Sequence, residues 1–133
     1  MIETREEYDY AVGRGYEPLI DERLPMSHAL RVEIQREKFG KNNAEGNGKF
    51  YKFCLSHFPH ICEECGCPIE NPWAMNVSHI LSRGAHQEIA HDPRNTNILC
   101  WRHHLEWENG NRKSMRIYKK NEKTIEQLKQ EYQ

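Results

Sequence analysis

Four of the chain's cysteines and histidines fall at spacings that suit one metal ion. Cys62-x2-Cys65 forms a first pair and Cys100-x2-His103 a second, with 34 residues between Cys65 and Cys100. Two ligands three apart on a tight turn can bite one side of a tetrahedral ion, and two such pairs can enclose it. The set is that of a three-cysteine, one-histidine zinc site. Four protein ligands leave no position for water, so this zinc would be structural and any chemistry must come from elsewhere. Buried reduced thiols are the plain alternative, while a redox dithiol would want a thioredoxin-like strand and helix that the sequence lacks. Cys67 could stand in for Cys65, but the longer spacing makes a looser bite with Pro68 stiffening its far side. Cys54 sits on an apolar helical spacing and reads as core.

A second constellation surrounds the first. Ser78-His79-Ile80-Leu81-Ser82-Arg83-Gly84 is followed by Asn95-x4-Cys100-x2-His103-His104. This order resembles the HNH, or His-Me finger, nucleases over about residues 60–112, with the named letters at His79, Asn95 and His104, and is closest to their zinc-knuckled subgroup. The Ser-Arg-Gly stretch is also similar to phage recombination endonucleases of the lambdoid type. The resemblance implies an α+β fold, a small ββα-metal core stapled by zinc with flanking helices, and a metal-dependent endonuclease that hydrolyses DNA phosphodiester bonds. His79 would be the general base, since an imidazole can take a proton from water near neutral pH. His104 would hold a catalytic divalent ion, Mg2+, Mn2+ or Ni2+, beside the phosphate. Asn95 would orient the base through the backbone near His79. Arg83, four residues past the base, could reach the scissile phosphate, or be a surface arginine.

One position departs from that pattern. Ser78 stands where the family usually carries an aspartate or histidine as a second metal ligand, and a hydroxyl binds hard cations poorly. Glu108, four residues after His104 and on the same helix face, is the expected replacement. The site is then completed by Glu108, weak, or inactive, and Ser78→Asp is expected to strengthen metal binding. The alternative function is a catalytically inactive, zinc-stapled DNA-binding or adaptor module; an unrelated zinc-stabilised interaction protein is a third. DNA is the implied partner, with other phage or repair proteins beside it.

These side chains need elements to position them. Residues 1–24 are acidic, with Gly13, Gly15 and Pro18, and read as an irregular arm. Ser27 should cap a helix from His28 to Phe39 that Gly40 ends. Lys41 to Lys49 reads as a polar linker, and Phe50 to Phe58 as a helix stopped by Pro59. A strand at residues 76–81, a long loop, a brief second strand at Ile98–Leu99 and a helix from Cys100 to Glu108 follow. A polar tail helix spans residues 122–132. The segments are thus an arm and helix (1–45), a zinc-stapled core (46–112) and a basic segment with its helix (113–133). Trp73, Trp101 and Trp107 read as core; His28, His57 and His60 as structural or exposed. His86 and His91 read as plain loop histidines, with substrate or metal contact as the alternative.

With 133 residues there is room for one domain, and an apolar content of 37% is lean enough that a metal staple would help. No secretory leader or membrane span is visible, so the chain is expected in the cytoplasm, where an odd count of five cysteines suits metal better than disulfides. The net charge of −1 does not advertise a nucleic-acid binder. Its distribution is uneven, however: Arg112, Lys113, Arg116, Lys119 and Lys120 crowd together without an acid and could follow a phosphate backbone.

Overall fold

Two three-residue strands, β1 (Val77–His79) and β2 (Thr96–Ile98), pair antiparallel with Val77 opposite Ile98, Ser78 opposite Asn97 and His79 opposite Thr96. They form the only sheet in a computed structural model that describes residues 1–133, and five α-helices make the protein α+β. Every residue of both strands is buried, so this ribbon is the centre of the protein rather than its edge. Alternation along β1 sends Val77 and His79 to one face and Ser78 to the other.

Helices pack around the ribbon and its flanking loops. α2 (His28–Phe39) and α3 (Ala44–His57) bring Phe39, Phe50 and Cys54 onto Val77 and Ile98. α4 (Trp101–Asn109) inserts Trp107 among Cys62, Ile80, Leu99, Met115 and Ile117, and the Trp107 indole N–H donates to the Ile80 carbonyl at 3.3 Å. α5 (Tyr118–Glu131) returns across the molecule to seat Leu128 on Leu81 and Ile89. Truncating a fully buried aromatic such as Phe50 or Trp107 should cost about 3–5 kcal/mol. The Phe39–Phe50 and Leu81–Leu128 contacts join what the sequence reading divides at residues 45/46 and 112/113.

The acidic arm is not irregular. Arg5–Gly13 forms α1, started by a reciprocal cap in which Thr4 takes the Glu7 N–H and the Glu7 carboxylate takes the Thr4 N–H. Tyr8 anchors it against Leu19, Met26, Leu30 and Ile34. The expected linker is also partly helix, because α3 begins at Ala44 with Asn43 as its cap. A Cβ at Gly46 would overlap the carbonyl oxygens of Phe39 and Lys41, so the glycine that argues against helix is what lets α3 start so close to the end of α2. α2 itself runs from the Ser27 cap to Gly40, as its sequence signals predict.

Candidate metal centre and the adjoining cleft

The Cys62 turn is tight because Gly66, at φ 76°, accepts a left-handed backbone, and the Cys62 N–H donates to the Cys67 carbonyl at 2.9 Å. Glu63 and Glu64 then fix this turn in two directions. Glu63 accepts the Ile98 N–H at 2.6 Å and the Asn97 amide at 3.0 Å, while Glu64 accepts the N–H groups of Arg116 and Ile117 at 2.9 and 3.0 Å. The second pair sits where β2 turns into α4, Cys100 preceding the helix and His103 lying in its first turn.

The result is one cluster: the ligand atoms of Cys62, Cys65, Cys100 and His103 all lie within 4.8 Å of one another. Zn–S bonds of about 2.3 Å and Zn–N bonds of about 2.0 Å in a tetrahedron require ligand-to-ligand edges of about 3.5–3.8 Å. His103 Nδ1 is 3.6 Å from the Cys62 sulfur and 3.3 Å from that of Cys100, which fits. Cys67 lies outside the cluster, yet its sulfur is 3.1 Å from that of Cys65, and this neighbour brings the Cys65 thiol down to about 7. Cys54 is fully buried in the core, and burial pushes its thiol up to about 12.

The second constellation gathers at the other end of β1. His79 is 8% exposed, stacks on Phe50 at 5.6 Å, and its Nε2 lies 2.8 Å from the Ala90 carbonyl. A carbonyl can only accept, so Nε2 carries the hydrogen and Nδ1 is the nitrogen with a free lone pair. Burial pushes this imidazole down to about 4, so it is neutral at neutral pH. Asn95, fully buried, donates from its amide to the Leu81 carbonyl at 2.9 Å and accepts the Leu81 N–H at 2.8 Å. The loop leaving His79 is thereby clasped to the strand that leads to Cys100.

A cleft of about 420 Å3 opens beside His79 and is lined also by Asn42, Ser82, Arg83, Gln87 and Glu108. The Arg83 guanidinium has no acidic partner and lies 5.8 Å from the ring of Tyr51, which also meets His79 edge-on at 6.0 Å. Tyr51 is a wall of this site that motif reading misses; only its position one turn after Asn47 and beside Phe50 on the inward face of α3 could have signalled it. His104 does not line the cleft directly, but sits one turn before Glu108 on α4 with a buried Nδ1 that has no hydrogen-bond partner. No third metal-ligating side chain joins His104 and Glu108. Ser78 cannot: it is fully buried on the face of β1 opposite His79, its hydroxyl unpartnered.

Other expected residues are placed differently. His91 is buried, bonded through Nε2 to Asn47 Oδ1 at 2.7 Å and stacked on Phe50 at 5.2 Å, which makes it part of the frame. In the basic run Arg112 lies 4.4 Å over the Trp107 ring and donates to its carbonyl, Arg116 is tied to Glu64, and Lys120 is 3.5 Å from Glu63. Only Lys113 and Lys119 of the five are without such a partner. Trp107 is core as expected, but Trp73 and Trp101 are 60% and 59% exposed. No helix is long and apolar enough to cross a membrane. No protein-family model, curated protein or solved structure matches the chain.

Proposed function

We propose that the protein is a metal-dependent endonuclease of the HNH type that hydrolyses DNA phosphodiester bonds, built on a zinc-stapled ββα-metal core. The observation that carries this reading is the double clasp of Asn95 on Leu81, which ties the loop after His79 to the strand feeding the Cys100–His103 pair. A buried asparagine spent on both polar groups of one residue fixes a loop, and the loop fixed here presents His79 and Arg83 to one cleft.

In this reading His79 Nδ1 takes a proton from water while Nε2 stays bonded to Ala90, so the ring cannot turn away from its task. Arg83 meets the negative charge of the phosphate. Tyr51 and Phe50 wall the imidazole and keep it neutral until it accepts the proton. His104 and Glu108, one turn apart on α4, would hold a Mg2+ or Mn2+ ion, which needs few protein ligands, and His104 Nδ1, buried and unpartnered, is the kind of atom that such an ion satisfies. When bound, the ion would offset charge on the phosphate and on the leaving 3′ oxygen. The zinc ligands take no part beyond holding α4 and the Cys62 turn together.

The inward turn of Ser78 leaves two protein ligands for that ion and supports a second reading, a DNA-binding module without catalysis. Nicking of supercoiled plasmid in added Mn2+ or Mg2+ separates the two. Wild type should nick only with added ion, and His79→Ala should lose nicking with its zinc content unchanged. Omission of the ion is the right control, because a chelator would also attack the zinc. No nicking by wild type in any divalent ion, with DNA still bound, would favour the module.

A further inference from the structure

The cleft beside His79 does not end there. Asn42 and Gln87 line it on one side and on the other line a larger open cleft of about 700 Å3 between α2, the turn after Gly40 and the loop before His91. Asn42 also holds the Arg83 carbonyl at 3.2 Å, so the passage between the two clefts is tied to the arginine of the first.

The second cleft is a built polar surface. Arg36 and Lys41 line it, both are exposed, and neither has an acidic partner within ion-pair distance. Gln35, 5% exposed, also lines it; the Tyr132 hydroxyl, whose proton goes to Asp92 at 2.9 Å, meets one end of its amide at 3.2 Å and leaves the other end buried without a partner. His28, edge-on to the Tyr132 ring at 4.5 Å, contributes a second buried nitrogen without a partner, Nδ1. Buried polar atoms without partners are rare, because each forfeits its hydration. Two in one cleft ask for a partner from outside, and the two unpaired cations beside them ask that it be anionic. One carboxylate, Glu88, lies in the lining, so two cations outnumber one anion there.

We propose that this cleft is a phosphate-binding subsite for the nucleic-acid strand that continues past the bond at His79, with Arg36, Lys41 and the Gln35 amide as its contacts. Arg83, Lys41 and Arg36 then follow one strand through the two joined clefts, and the basic run near α5 is not the main nucleic-acid contact. The inference rests on the nuclease reading for the direction of the strand, but the anion site stands on its own side chains.

Three measurements test it. Anisotropy of a fluorescent 12-nucleotide single strand, read across salt concentrations, should show Arg36→Ala/Lys41→Ala binding about tenfold more weakly at low salt, with its log–log slope flatter by about 1.4. Lys113→Ala/Lys119→Ala should leave both values unchanged. Gln35→Glu sets a negative charge against the same cleft, so it should weaken binding while thermal unfolding and zinc content confirm the fold. Hydrolysis of bis(p-nitrophenyl) phosphate, which is too small to reach the second cleft, should survive in Arg36→Ala/Lys41→Ala. Binding and slope unchanged in the Arg36/Lys41 variant, or no binding of the strand by wild type, would overturn the subsite. Binding that depends on Arg36 and Lys41 without hydrolysis of either substrate would support the subsite and overturn the nuclease reading.

Discussion

The Asn95 carboxamide holds both backbone polar groups of Leu81, at 2.8 and 2.9 Å, in a place where no water reaches either residue's contact. Asn95→Ala leaves a buried N–H and a buried carbonyl unpaired, which should cost about 2–4 kcal/mol in urea unfolding. Asn95→Asp is the sharper variant: it can still accept from Leu81 N–H, but turns an anion toward the Leu81 carbonyl. Both should lose nicking at temperatures where circular dichroism shows them folded. Full activity in Asn95→Asp would show that the clasp does not govern the site.

Zinc content should be one ion per chain, by elemental analysis of protein purified without a metal-affinity step. Cys65→Ser and Cys100→Ser should lose it, and strong chelation should unfold wild type, since ligand binding and folding are coupled at such sites. Cys67→Ser should keep the ion despite the 3.1 Å contact with Cys65. Loss of zinc in Cys67→Ser alone would move the ligand assignment to that residue.

Acid should weaken the fold through His79. Its folded value of about 4 lies below the ordinary 6.5, so below pH 6.5 the unfolded chain takes up a proton that the native ring refuses. Stability should fall between pH 6.5 and 4 and level off below that, by about 3 kcal/mol from this group. His91, pushed down by burial as well, adds in the same direction. His79→Gln can still donate to Ala90 and should flatten the dependence, a result read from urea midpoints across that range. The same variant should cut about 100- to 10,000-fold more slowly, and the acid limb of wild-type cleavage should lie below pH 6.5.

The sequence favours Ser78→Asp as a repair of the metal site; the fold argues the reverse. A carboxylate there would be buried without a partner on the far face of β1, costing about 3–5 kcal/mol. Calorimetry should therefore find lower stability and no gain in Mn2+ affinity. Glu108→Gln, at the exposed cleft wall, should weaken Mn2+ binding and leave zinc in place. Tighter Mn2+ binding by Ser78→Asp would mean that β1 turns at this residue.

What could be read in advance followed the chemistry of single residues. The four residues of the candidate zinc cluster announce themselves because a tetrahedral ion accepts few spacings, and α2 is legible because Ser27 and Gly40 mark both its ends. α1 carries an equally readable cap in Thr4 and Glu7, but only Tyr8 of its nine residues is buried, so no apolar stripe draws attention to it. The first turns of α3 hide behind Gly46 and Gly48, whose weak helix preference argues against a helix there, although Gly46 is the residue that the close approach of the Phe39 and Lys41 carbonyls requires. The basic run looked free because its acids, Glu63 and Glu64, lie some fifty residues away in sequence. Trp73 and Trp101 read as core only on the average behaviour of tryptophan, and average behaviour says nothing of which face a neighbour covers. The second cleft left no trace in any motif, since α2, the Asn42 turn and Gln87 meet only in three dimensions.

Asp92, wholly buried beside Asn95, is held by Arg94 at 2.7 Å and by the Tyr132 hydroxyl at 2.9 Å, and Arg94 in turn by Glu131 at 2.9 Å. Burial pushes the Asp92 carboxyl up, yet Arg94 outweighs it and keeps the group ionised. During synthesis the four residues of the candidate metal cluster and every side chain lining the cleft beside His79 leave the ribosome before Glu131 and Tyr132 do. A nascent chain can therefore load its metal early but cannot lock the turn that carries Asn95 until α5 has emerged and folded back. Order of translation thus separates assembly of the staple from completion of the cleft, and a chain cut short after Ile117, before α5, should take up zinc yet be open to protease around residues 85–95.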